Sequence, residues 1–135
     1  MLSNPDADFL ADFEACRIPI CGFRHREHLR AAWAFIKRHG FSEATVMMDA
    51  SVRRFAAHHR RAQKYHYTMT TAWMHLVAAH ALQHPAPTFD RFIEEHSRLL
   101  DQALIERFYS REALFSDHAR VHWIEPDLRP LPGMA

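Results

Sequence analysis

From Gly40 to Gly133 the chain runs without a glycine, and Gly22 is the only other one in 135 residues. Tight turns between strands depend on residues that adopt positive φ, glycine above all. A chain so poor in glycine is ill-suited to a meander of strands, whereas helices joined by short links make no such demand. The apolar fraction of 48% is ordinary for a globular protein and supplies enough surface for a core without staples. These features predict an all-α fold. The expected form is a compact bundle of about six helices in a single domain over residues 1–135, with an extended, proline-rich tail over 124–135.

Periodicity and capping residues divide the chain. Pro5 opens a first helix in NPDADFLADFEAC, with Phe9, Leu10 and Phe13 as its apolar face. After Pro19 and Gly22, a second helix begins near His25 and stops at Gly40, with Leu29, Ala32, Trp33 and Ile36 forming an i, i+3, i+4, i+7 stripe. Ser42 is the expected cap of a third helix, which runs into the basic stretch HHRRAQK. A fourth covers HYTMTTAWMHLVAAHALQH and ends before Pro85. Thr88 caps a fifth, FDRFIEEHSRLL, with Phe89, Phe92, Ile93 and Leu99 inward. DQALIERFYS forms a sixth and REALFSDHARVHW a shorter one, before Pro126, Pro130 and Pro132 hold the tail extended.

Net charge is +1 with histidine neutral, so no global field draws the chain to nucleic acid or an anionic membrane. No apolar run is long enough to span a bilayer, and the acidic N-terminus lacks a signal-peptide pattern. Cys16 and Cys21 form neither a CxxC redox motif nor half of a zinc knuckle, and read as reduced thiols. The expected location is cytoplasmic.

Histidine is the compositional outlier, with twelve residues. His25 and His28 head the inward stripe of the second helix three positions apart, a spacing that turns two rings toward one ion. His66 likewise heads the inward face of the fourth helix, which continues through Met69, Thr70, Trp73 and Val77. Thr68, Thr70 and Thr71 beside it are poor helix formers, suited either to orienting an imidazole or to satisfying local backbone. If the two helices are neighbours, His25, His28 and His66 supply three neutral nitrogens with open positions, the usual donor set for catalytic zinc and one that also suits iron or copper. His58 and His59, with Arg60, Arg61 and Lys64, read as a solvated basic face or an anion patch. His118 and His122, at i, i+4, are candidates to complete or neighbour the site. His39, His75, His84 and His96 read as surface residues or caps, with His80 left unassigned.

The segments FRHREHLRAAWAFI, KYHYTMTTAW, ERFYSREALFSDHAR and a terminal EPD resemble an uncharacterised family of short bacterial proteins, over roughly residues 8–127. The resemblance rests on His25, His28, Tyr65, His66, Thr68, Tyr109, Ser110, Ala119 and Arg120, and implies extra weight for the three-histidine set. It implies no reaction. Many members carry glutamate where this chain has Tyr67, which removes a carboxylate ligand or base at that position.

The leading expectation is a metal-dependent enzyme acting on a small apolar or aromatic molecule. His25, His28 and His66 hold one transition metal ion (iron, copper or zinc), in a pocket walled by Trp33, Met69 and Trp73. Tyr65 or Tyr67 donates a proton or hydrogen bond, and Arg120 holds a substrate carboxylate or phosphate. Oxidative chemistry is favoured over hydrolysis, because Glu27, the nearest carboxylate, lies off the inward stripe. The alternative is a non-catalytic carrier of metal, haem or a small ligand, with His66 or His80 as the haem residue. A nucleic-acid or protein interaction domain ranks third, supported by SVRRFAAHHRRAQK but lacking a helix-turn-helix pattern. The exposed faces leave a homodimer open.

Overall fold

The computed structural model describes residues 1–133, and these contain helices and no strand. The α-helices are α1 (Asn4–Glu14), α2 (His25–His39), α3 (Phe41–His58), α4 (Tyr67–Ala81), α5 (Phe89–Glu95), α6 (Arg111–Leu114) and α7 (Asp117–Val121). Short 3₁₀ turns cover Ile20–Gly22, Ala62–Lys64, Ser97–Leu100 and Gln102–Arg107. No described helix is long and apolar enough to cross a membrane.

α2 is the centre of the molecule and packs on α1, α3, α4 and α5. Its expected stripe is buried, and Ala31, Ala34 and Phe35 are buried as well, so the helix is enclosed on nearly every side from Ala31 to Ile36. Small alanines let the neighbouring helices approach its axis. Side chains from Leu2 to Leu131 join the same core cluster, with Phe13, Trp33, Phe35, Phe89, Phe92 and Tyr109 as its largest fully buried members.

One buried carboxylate ties three elements together. Asp6 is 3% exposed. It accepts from Arg30 Nε on α2 at 3.0 Å, from the Phe89 N–H at the start of α5 at 3.0 Å, and from Ser3 Oγ at 3.0 Å. Arg30 also lies over the Phe9 ring at 4.4 Å.

Gly40 joins α2 to α3 at φ 81° and ψ 174°, serving as the last residue of one cap and the first of the next. Ser42 therefore lies inside the first turn of α3 and does not cap it, which corrects the expected boundary. A Cβ at position 40 meets nothing within 4 Å, so the whole cost of adding one is backbone strain. Gly40→Ala is expected to destabilise the fold by about 2 kcal/mol, read as a lower urea midpoint at unchanged slope.

The C-terminal third departs from the expected long helices. Asp101, Ser110 and Ser116 each accept a backbone N–H two or three residues on, from Ala103, Ala113 and Ala119. Each restarts the chain in a new short turn. Residues 124–133 carry no helix or strand and lie against this region. Tyr109 Oη donates to the Ile124 carbonyl at 2.8 Å, Asp127 accepts from the Ser110 N–H at 2.8 Å, and Leu131 is 1% exposed.

Candidate functional site

α2 and α4 are neighbours, and a cleft of about 710 Å³ opens where their N-terminal ends meet the chain from Asp101 to Glu106 and Leu114–Phe115. His25 and His28 line it from α2; His66, Met69, Thr70 and Trp73 line it from the start of α4. Phe23, Ile105, Leu114 and Phe115 complete an apolar wall, while Arg24, Lys64 and Arg111 stand around it with Asp101 and Glu106.

Local capping builds this arrangement. Glu27 Oε1 accepts from the Arg24 N–H at 2.9 Å and so closes the first turn of α2. That role explains why Glu27 lies off the inward stripe. One turn of helix then carries His25 and His28 into the cleft. His25 Nε2 lies 2.8 Å from the Leu99 carbonyl, which can only accept, so Nε2 carries the proton and Nδ1 keeps a free lone pair. The ring meets Trp73 edge-on with centroids 4.6 Å apart. Burial lowers the His25 pKa, offset in part by the Leu99 carbonyl and Asp101.

His28 packs against the Phe23 ring at 4.9 Å. Burial, and secondarily the neighbouring His25, pushes it down to about 4. It is therefore a neutral imidazole at physiological pH, a hydrogen-bonding group and a weak base. A space of about 20 Å³ between His25, His28, Thr70 and Trp73 extends the cleft inward and is water-sized.

His66 has a different task from the expected one. Its Nδ1 accepts from the Met69 N–H at 3.1 Å, capping α4, and its Nε2 donates to the Leu114 carbonyl at 2.6 Å. Both ring nitrogens are committed, which leaves no lone pair for a metal in this arrangement. Burial chiefly lowers its pKa, as the neutral cap requires. Thr70 Oγ1 donates to the His66 carbonyl and Thr68 Oγ1 to the His122 carbonyl, both at 2.8 Å, so these hydroxyls satisfy backbone groups and do not orient an imidazole.

The other expected residues divide clearly. Met69 and Trp73 wall the cleft. Trp33 does not; it is 1% exposed in the core, between Phe89 and Phe92 at 6.0 Å from each. Tyr65 Oη donates to Asp49, and Arg53 lies over its ring at 4.2 Å, so Tyr65 fastens α3 to the start of α4 outside the cleft. Burial and Asp49 raise its pKa. Tyr67 and Arg120 are also absent from the cleft lining, although the Arg120 charge reaches His66 and disfavours its protonation. In the basic stretch, Arg53 pairs with Asp49 at 3.1 Å, Arg54 donates to the Glu14 carbonyl and His59 is within 3.1 Å of the Ile18 carbonyl, so much of it holds the fold together. His118 and His122 are exposed, with their rings tilted against each other at 4.8 Å.

His25, His28 and His66 thus share a cleft without converging as a donor set. Among the described residues, the group of three donors whose ligand atoms all lie within 4.8 Å of one another is His80, His84 and His96. The sequence alone places His84 and His96 among surface residues or caps and leaves His80 unassigned. The available signal was the i, i+4 spacing of His80 and His84 at the end of α4, the same spacing noted at His118 and His122. The contribution of His96 was not legible, because α5 returns it to α4 through a turn that periodicity does not specify. Searches of family models, curated proteins and solved structures find none that matches this chain, so the geometry of these two places carries the functional reading.

Proposed function

We propose that the chain is a small-molecule-binding protein whose ligand occupies the cleft between α2 and α4. The observation that carries this reading is the pair of neutral imidazoles in an apolar wall: His25 with Nδ1 free to accept, and His28 with no hydrogen bond from its ring among the described residues. A cleft of about 710 Å³ falls in the range of small-molecule sites. Trp73, Phe23 and Met69 favour a flat, apolar body. Arg24 and Lys64 form no ion pair among the described residues, nor does Asp101, whereas Arg111 pairs with Glu106 at 3.4 Å, so two free cations face one free carboxylate and the net rim charge is positive. The ligand class is then an aromatic acid carrying a hydroxyl, its ring on Trp73, its hydroxyl donating to His28 or His25 and its carboxylate toward Arg24 and Lys64. This is the small-ligand alternative that the sequence left open. The metal-enzyme reading through His66 loses support because both nitrogens of that ring are committed.

Hydroxybenzoates and hydroxycinnamates, each with its deoxy and its neutral ester counterpart, provide the test by ligand-observed NMR and quenching of Trp73. Saturable binding is expected for the hydroxylated acids. His28→Leu is expected to weaken it about tenfold, the worth of one buried hydrogen bond. Binding that is indifferent to His28→Leu and Trp73→Phe, or no binding by any compound, rejects the reading.

A further inference from the structure

We infer that His80, His84 and His96 form a binding site for one divalent transition-metal ion, open on one side toward a pocket that takes a small anion. The site is separate from the cleft and does not depend on its ligand.

The chain assembles the donors simply. The His84 N–H bonds to the His80 carbonyl at 2.9 Å, so the backbone continues one turn beyond the end of α4 and places both rings on one side. His96 is the C-terminal cap residue of α5, and the Phe92 carbonyl holds its N–H at 3.1 Å. Its ring lies 4.5 Å from that of His80 and 5.6 Å from that of His84. Nitrogens bound to one zinc-like ion at about 2.0–2.1 Å stand roughly 3.3 Å apart in tetrahedral geometry. The donor atoms already lie within 4.8 Å of one another, so ring rotations carry them toward that spacing, and the exposed His84 is free to make them.

A second observation points the same way. The Nε2 of His96 is buried and has no hydrogen-bond partner among the described residues. Buried polar atoms without partners are rare in folded proteins and call for a specific explanation. Here the orphaned atom belongs to a ring that already faces two other imidazoles. Three neutral nitrogens suit zinc, copper, nickel or cobalt and leave one or more coordination positions free.

The free side has a neighbour of defined chemistry. His80 and His96 also line a pocket of about 340 Å³ with Arg98, Arg107 and Arg129. None of these guanidiniums forms an ion pair among the described residues, and Glu95, the carboxylate in the lining, pairs with Arg91 at 3.7 Å. Three free guanidiniums beside an open metal position select an anion such as phosphate or a carboxylate, bound to metal and arginine together.

The test uses the full chain without a histidine tag, titrated with Co²⁺ and followed by its visible absorption, then displaced with Zn²⁺. One equivalent is expected, with His84→Ala and His96→Gln each weakening binding at least tenfold. His118→Ala with His122→Ala is the control for adventitious surface histidines, and His28→Leu the control for the cleft; both are expected to leave binding unchanged. Because His84 is exposed, its loss does not threaten the fold. No bound equivalent, binding unchanged in His84→Ala, or binding lost in either control overturns the metal site. Inorganic phosphate added to the Co²⁺ form is expected to change the spectrum in the wild type and not in Arg107→Ala. An unchanged spectrum in the wild type, or an equal change in Arg107→Ala, overturns the anion pocket.

Discussion

Asp6→Ala is expected to destabilise the protein by about 3 kcal/mol, because it removes a buried carboxylate that three donors share. The residue is 3% exposed and its carboxylate holds three donors from three parts of the chain: Ser3 ahead of α1, Arg30 on α2 and the first N–H of α5. Truncation leaves the Phe89 N–H without its acceptor beside a ring that is fully buried. It also strips the counter-charge from Arg30, whose side chain is 24% exposed and therefore keeps some solvation. That residual solvent access places the cost at the low end of the range for breaking a buried pair. Asp6→Asn retains one acceptor oxygen and is expected to fall between the wild type and alanine. With a urea slope near 2 kcal/mol per molar, the alanine variant moves the midpoint down by roughly 1.5 M. A midpoint within about 0.3 M of wild type would mean that Arg30 and the α5 terminus are solvated as well without Asp6 as with it. A double variant with Arg30→Met separates the two parts of the effect, since it removes the stranded charge but not the stranded N–H.

The parts of this fold that the sequence disclosed are those governed by local rules. α1, α2 and α5 begin where Pro5, His25 and Thr88 predict, because a cap and an apolar stripe act within one or two turns. The misread boundaries also have local causes. Gly40 takes a backbone conformation that serves two helices at once, and so displaces Ser42 from the cap it otherwise suits. After Leu100, Asp101, Ser110 and Ser116 interrupt the apolar pattern before any stripe completes two turns, and short turns result where longer helices were expected. Each cap is a local signal, but the length of the helix that follows depends on how closely the next cap comes behind it.

The site divides in the same manner. That His25, His28, His66, Met69 and Trp73 share a cleft followed from two amphipathic helices starting at one end of a bundle. What each imidazole does there did not follow. A histidine at a helix N-cap can accept from the backbone as asparagine does, and His66 takes that role. The distinction between ligand and cap depends on whether the Leu114 carbonyl lies within reach of the other nitrogen, a contact across 48 positions of chain. Trp33 and Tyr65 were likewise separated from the cleft by partners distant in sequence, Phe89 and Phe92 for one and Asp49 for the other. Periodicity states which side of a helix is inward; it does not state whether inward means core or cavity.

Mild acid is expected to destabilise the wild type in a window set by His28. The folded-state pKa of about 4 lies below the ordinary value of 6.5, so the unfolded chain takes up the proton first. Above pH 6.5 the ring is neutral in both states and its full contribution is present. As pH falls from 6.5 toward 4 the unfolded state gains a proton that the folded state refuses, and stability declines; below about 4 both states are protonated and the slope from this group ends. The displacement corresponds to about 3 kcal/mol, of which about 2 kcal/mol is lost between pH 7 and 4.5. His25, His66, His75 and His80 are displaced in the same direction, each chiefly by burial, and steepen the decline in the same window. Paired carboxylates do not imitate this, since a lowered group such as Asp127 begins to lose its contribution only near and below pH 3.8. Urea unfolding at pH 7, 5.5 and 4.5 measures the effect, with His28→Leu as the variant that cannot titrate. Leucine suits a position packed on Phe23 and beside Met48 and Met74, so the variant is expected to fold and to show a flatter dependence on pH. Parallel curves for the two proteins would place the ring in contact with solvent in the folded state, and would remove the neutral imidazole on which ligand binding in the cleft depends.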